Sequence, residues 1–288
     1  MAKRATSARR RRDVKQDLRR HLTRALGELD GGRTPQDRSV HEARKELKRA
    51  RSTLRLLRDA IGDPAYRRAN RKLRDAARPL SGVRDAKALL EAVAKLRSRT
   101  KKRSLRSHFS ALERQLRTSQ KRARSELLKR PAELRKLRRS IESVLAESRQ
   151  WTPATRESAR AGVERIYRKG RKMFARADAI RRDDVLHESR KQAKYLSRAL
   201  EVLALPRDDV ILEQVGRADS IADALGDDHD LALLRKRVMT RRSLSASARA
   251  GIIADIERRR AQLQRKASRR GRGLYRCKTK ALLEALDS

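Results

Sequence analysis

The chain has 288 residues and carries 79 Lys plus Arg against 36 Asp plus Glu, a formal charge of +43 that far exceeds what solubility requires and repels itself until a counter-charge binds. Aromatic residues at 2% argue against sheets, and no run approaches the eighteen apolar residues of a membrane span. The lone Cys277 excludes an intrachain disulfide and fits a reducing, cytoplasmic setting.

Residues Met1 to Arg12 form a basic N-terminal tail, and the charged stretch that follows lacks the apolar core of a signal peptide. A first helix is predicted from Asp13 to Leu29, closed by Asp30, Gly31 and Gly32. A second spans Arg38 to Ala60, and Pro64 opens a third through Ala77. Further helices are expected from Ser81 through Leu96, from Ser104 to Arg130, and from Ala132 to Glu147. The stretch Gln150 to Pro153 is the midpoint boundary, with Thr152 expected to cap a helix that Pro153 starts. After it come helices over Ala154 to Ala177, Asp184 to Leu205, Arg207 to Leu225, Asp227 to Arg242 and Ser247 to Ser268, then a short basic helix from Leu274 to Leu286.

The series restarts because the chain repeats. At an offset of 146, His41, Arg44, Lys45 and Lys48 match His187, Arg190, Lys191 and Lys194. The apolar positions Val40, Ala43, Leu47, Ala50, Leu54 and Leu57 keep register with Leu186, Ser189, Ala193, Leu196, Leu200 and Leu203, which chance matching of charges alone would not produce. At an offset of 145, Leu80, Gly82, Arg84, Asp85 and Leu89 match Leu225, Asp227, His229, Asp230 and Leu234. The fold class read from this is all-α: two antiparallel helical bundles, over 13–150 and 151–288, related by an internal pseudo-twofold axis.

At 100° per residue, His41, Arg44, Lys48, Arg51 and Arg55 fall together beside the leucine stripe. Like charges stacked at that spacing destabilise an isolated helix, so the pattern points to a ligand rather than to stability. A solvated charged face is the ordinary alternative, and the recurrence in His187, Arg190, Lys191, Lys194 and Arg198 weighs against it. Arginine outnumbers lysine by about three to one, which coding bias can also produce, but guanidinium forks suit phosphate oxygens. A row of cations on a rigid helix can meet the successive charges of a linear polymer and release its condensed counterions. The histidines either face phosphate or pack and cap. Asp227, Asp228, His229 and Asp230 form one acidic knot, read as helix capping in preference to a metal site with His187, since no second histidine stands at ligand spacing. No phosphate loop, H-E-x-x-H or nucleophile elbow occurs.

The paired H-x-x-R-K-x-x-K motifs, His41 to Lys48 and His187 to Lys194, together with L-G-D-D-H-D-L from Leu225 to Leu231, resemble the CHAD family, the conserved histidine α-helical domain, over about Asp13 to Ser268. The resemblance implies two helical bundles with a basic surface or pore that binds inorganic polyphosphate and directs the protein to polyphosphate granules. It also implies that His41, Arg44, Lys45, Lys48, His187, Arg190, Lys191 and Lys194 line the site. Arg51, Arg55 and Arg198 are added from helical spacing, and Arg84 and His229 from the second shared signature. Glu201 stands where the first half has Arg55, which shortens the second strip. The tunnel-hydrolase signature often fused to the family is absent, so no hydrolase activity is carried over. The expected function is non-enzymatic polyphosphate binding, with no cofactor and no metal. A nucleic-acid-binding or nucleoid-associated protein is the main alternative, disfavoured by the scarcity of aromatics for stacking. A metal-dependent phosphohydrolase built on His187 and His229 is the third.

Overall fold

A computed structural model describes residues 13–29, 37–100, 103–204, 209–241 and 244–287. They form twelve α-helices and no strand among the described residues. The basic N-terminal tail and the Asp30 to Gly32 stop lie outside the described residues, as does the start at Arg207.

The first helices follow the predicted periodicity. α1 (Val14–Leu29) buries Val14, Leu18, Leu22 and Ala25 and packs against α2 (Asp37–Thr53). The heptad positions Val40, Ala43, Leu47 and Ala50 are all buried in α2. The helix expected to run on to Ala60 instead breaks after Thr53. Leu54, Leu56 and Leu57 are each fully buried, and residues one and two apart cannot share one helix face. Three tightened turns, such as Leu56 N to Thr53 O at 2.9 Å and Leu57 N to Leu54 O at 3.2 Å, rotate the leucines inward. Gly162 makes room for this corner, since a Cβ there would lie 3.2 Å from Leu56 Cα. A one-turn helix, α3 (Arg58–Ile61), follows, then α4 (Asp63–Ala76), with Pro64 in its first turn as expected.

α5 (Ser81–Arg99) and α6 (Arg103–Leu128) pack as neighbours, and α7 (Pro131–Glu147) lies against α4 and α1. Across the midpoint the start shifts. α8 (Arg156–Ile180) is capped by Thr155, whose hydroxyl accepts from Ser158 N at 3.1 Å, not by Thr152. Lys15 fastens the linker to α1 by donating to the carbonyls of Arg149 at 2.9 Å and Trp151 at 2.6 Å. α9 (Asp183–Leu203) packs on α8 and buries Leu186, Ser189, Ala193, Leu196 and Leu200.

The two helices expected on either side of Gly226 are one, α10 (Asp209–Met239). A single glycine inside a helix costs about 1 kcal/mol relative to alanine, and the packing of α10 on both α9 and α11 offsets it. The acidic knot is therefore mid-helix, and the capping reading of Asp227 and Asp228 does not hold: Asp228 is buried and accepts from Arg260 and Gln264, each at 3.0 Å. α11 (Ala246–Tyr275) continues past Ser268 because its end is packed, with the Tyr275 ring 5.5 Å from Tyr167 and 5.3 Å from Phe174. α12 (Thr279–Ala285) closes the described chain against α8. Helices at corresponding places in the two copies of the motif meet: α2 with α9, α5 with α10, and α6 with α11.

Candidate functional site

Residues three and four apart share a helix face, so α2 and α9 each carry a cationic row beside the stripe that buries them. Because α2 packs on α9, while α5 packs on α2 and α10, the two rows converge. His41, Arg44, Lys45 and Lys48 from α2, Arg84 from α5, and Arg190, Lys194 and Arg198 from α9 line one open cleft of about 490 Å³.

Several of these charges are already answered by carboxylates. Lys45 pairs with Glu42 at 2.7 Å, and Arg84 with Asp85 at 3.1 Å and Asp230 at 3.4 Å. Arg44, Lys48, Arg190 and Lys194 make no ion pair among the described residues. They occupy two matching pairs of motif positions, one member of each pair from each copy. Arg44 donates one Nη to the Ala77 carbonyl at 3.2 Å. Its Nε, the Nε of Arg190 and the Nδ1 of His187 are buried with no hydrogen-bond partner among the described residues, a state that ordinarily costs free energy.

Crowding shows in the proton affinities. Enclosure in the cleft, then the charges of Arg44, Arg84, Lys194 and Arg190, push Lys48 down to about 7. Desolvation within the cleft and then Arg190 lower Lys194, and burial followed by Arg84 lowers Arg190. The rings of His187 and His229 stack with centroids 4.5 Å apart. Burial, His229 and Arg190 push His187 down to about 4, and burial with Arg190 lowers His229. His41 is lowered by burial and Lys87. Desolvation and neighbouring cations both favour the neutral forms of these bases. Among the described residues no three His, Cys, Asp or Glu side chains gather to hold a metal ion.

Four residues expected on the strips, Arg51, Arg55, His187 and Lys191, and His229 from the second signature are not among the cleft's lining residues, whereas Arg198 lines it but is already paired. Arg55 sits in the turn after α2 with its guanidinium 3.7 Å from the Tyr195 ring centroid. With Lys191 it lines a separate pocket of about 350 Å³ that shares no lining residue with the cleft. Lys191 is paired there with Glu188. Arg51 turns to α4 and donates to Asn70 Oδ1 at 3.0 Å. Arg198 is buried and holds Asp17 at 2.5 Å and Glu201 at 2.8 Å, so Glu201 is its partner rather than only the missing end of a strip. The cause is the α2 corner for Arg55, and tertiary neighbours for the rest.

The cleft also contains residues that the sequence reading passed over. Arg49 and Ser52 flank the α2 row, and Val215, Asp219 and Asp223 come from α10. The last three are spaced by four and share a face once α10 is taken as a single helix. Asp219 accepts from Ser197 at 2.6 Å and is raised by burial and by Asp223 and Glu201 beside it. Gly226, further along the same helix, gives Arg190 room: a Cβ there would lie 3.0 Å from Arg190 Nη2 and 3.2 Å from its Cζ, so the bare backbone lets the guanidinium lie against α10.

A family model described as CHAD domain matches residues 16–239. Among solved structures, the chain is similar to PptA from Streptomyces chartreusis at 15% identity and a TM-score of 0.57, covering 96% of this chain and 98% of that one. It is similar to the CHAD domain from the plant Ricinus communis at 16% identity and a TM-score of 0.58, covering 99% and 96%. No curated protein matches the chain.

Proposed function

The chain belongs to the CHAD domain family, and from that premise we propose that it is a non-enzymatic binder of inorganic polyphosphate, held in the cleft between α2, α5 and α9. The observation that carries this reading is the quartet Arg44, Lys48, Arg190 and Lys194, which face one cleft and make no ion pair among the described residues. Four cations held together in free protein repel one another, and an anion with closely spaced charges removes that repulsion and satisfies the idle guanidinium nitrogens.

The cleft walls favour a flexible chain. Asp219 and Asp223 from α10 also line the cleft and repel phosphates, which confines the polymer to its cationic part. A single phosphate chain is narrower than a duplex and can follow a cleft lined by side chains of α2, α5, α9 and α10. Binding of this kind tethers the protein to polyphosphate granules without chemistry.

Competition tests the reading: labelled long-chain polyphosphate is bound at physiological salt and challenged with duplex DNA of equal charge. Polyphosphate is expected to resist displacement, and displacement by the DNA would transfer the cleft to nucleic acid. Replacing Lys48 and Lys194 together with alanine is expected to weaken polyphosphate binding and reduce the slope of log affinity against log salt by about two. An unchanged slope would make both rows solvated faces. Phosphate release on adding divalent metal would overturn the non-enzymatic assignment.

A further inference from the structure

A second cationic surface lies outside the cleft. α4 and α7 pack along each other and leave an open groove of about 1160 Å³ whose lining shares no residue with the cleft. Seven cationic side chains line it against only Asp75 and Glu133. Arg67 is engaged by Asp63, Lys72 by Glu147 and Arg130 by Glu133. Arg68 and Arg71 on α4 and Lys136 on α7 are exposed and make no ion pair among the described residues.

Arg68 and Arg71 are three apart on one helix, so they stack on one face with Lys136 on the opposite wall. The groove has no aromatic lining residue, which leaves nucleobases nothing to stack on. Its lining also includes Ala76, Pro79 and Leu137, whose side chains offer no donor, and Ser140, whose hydroxyl donates to the Lys136 carbonyl at 2.9 Å, so recognition falls to the charged side chains. A ligand that is charged along its whole length and needs no base recognition fits this description. We propose that the α4–α7 groove is a second, independent site for a linear phosphate chain, so that one molecule holds two segments of polyphosphate and bridges them. This rests on the reading of the cleft as a polyphosphate site.

Bridging follows from two sites on one rigid body: the second segment binds at an effective concentration set by the first, and separate polymers become cross-linked. Short-chain polyphosphate titrated into the full chain at low salt, followed by calorimetry, is expected to show two chains bound per protein. The triple variant Arg68→Gln, Arg71→Gln, Lys136→Gln is expected to bind one, with the cleft affinity unchanged. It is also expected to lose the turbidity that the wild type produces with long-chain polyphosphate. These side chains are exposed, and an unchanged far-ultraviolet circular dichroism melt verifies folding. The Lys48→Ala, Lys194→Ala variant is expected to keep the groove chain and lose the other. One chain per wild-type molecule, or two per groove variant, overturns the second site. Loss of no binding in the Lys48→Ala, Lys194→Ala variant overturns the cleft reading instead.

Discussion

Lys48 shows how a site can be written in residue types and still depend on position. Desolvation in the cleft and then the cations around it pull it down to about 7, so above that pH the free protein favours its neutral form, while a bound polyanion favours the charged form. Binding therefore takes up a proton above pH 7, and affinity falls as pH rises from 7 toward the ordinary lysine value of 10.5. Arg44, Arg84, Arg190 and Lys194 face Lys48, and the three arginines stay charged throughout. Lys48→Arg is expected to flatten the pH profile of polyphosphate affinity between 7 and 9; identical wild-type and variant profiles would remove Lys48 from this role. Gly226 is the other informative residue. Gly226→Ala gains helix propensity of about 1 kcal/mol but thrusts a methyl at the Arg190 guanidinium. The variant should melt no lower than wild type and bind polyphosphate several-fold more weakly, and unimpaired binding would show that the lie of Arg190 against α10 is immaterial.

Among the helices, α1 is held to α9 by a buried polar network that no local pattern announces. Asp17 accepts from Arg198 at 2.5 Å and from Thr53 at 2.9 Å, and His21 lies between Glu46 and Arg198. Burial alone would raise Asp17, but Arg198, His21 and Thr53 together hold it below its usual range. A depressed carboxylate contributes stability that is present above its ordinary value of 3.8 and is lost as pH falls through its folded value. Asp17→Ala leaves the Arg198 guanidinium buried without this partner, a loss of about 3–5 kcal/mol readable in urea unfolding. Adding Arg198→Met should recover much of it, and no recovery would place the loss outside the pair. The same helices set what periodicity could reveal. The α2 stripe was legible through Ala50, and the break at Leu54 was not, because three leucines in four positions satisfy a continuous helix on paper and need a corner only when all must be buried. Likewise Gly226 signals an end in sequence, whereas in the fold it is where an arginine from α9 needs space.

Over the whole molecule the charge of +43 opposes the compact state it decorates. Salt screens that repulsion, so the melting temperature of the free protein is expected to rise with ionic strength, while polyphosphate affinity falls over the same range. Opposite trends in one salt series distinguish a counter-charge protein from one whose ion pairs dominate; a melting temperature that falls with salt would reverse the assignment. Polyphosphate at about a hundred times its dissociation constant should stabilise the fold by about 2.7 kcal/mol.

The all-α class, the doubled H-x-x-R-K-x-x-K motif and the face on which each row of cations stands were determined by the amino-acid sequence, because helical periodicity is a property of near neighbours. Which of those cations remain free was decided only by tertiary structure. Lys194 and Arg198 stand one turn apart on α9 and both line the cleft, yet Lys194 makes no ion pair among the described residues while Arg198 is buried against Asp17, 181 positions away in the chain. Spacing within a helix fixes direction, but the carboxylate that answers a charge arrives on another helix, and only packing brings it there.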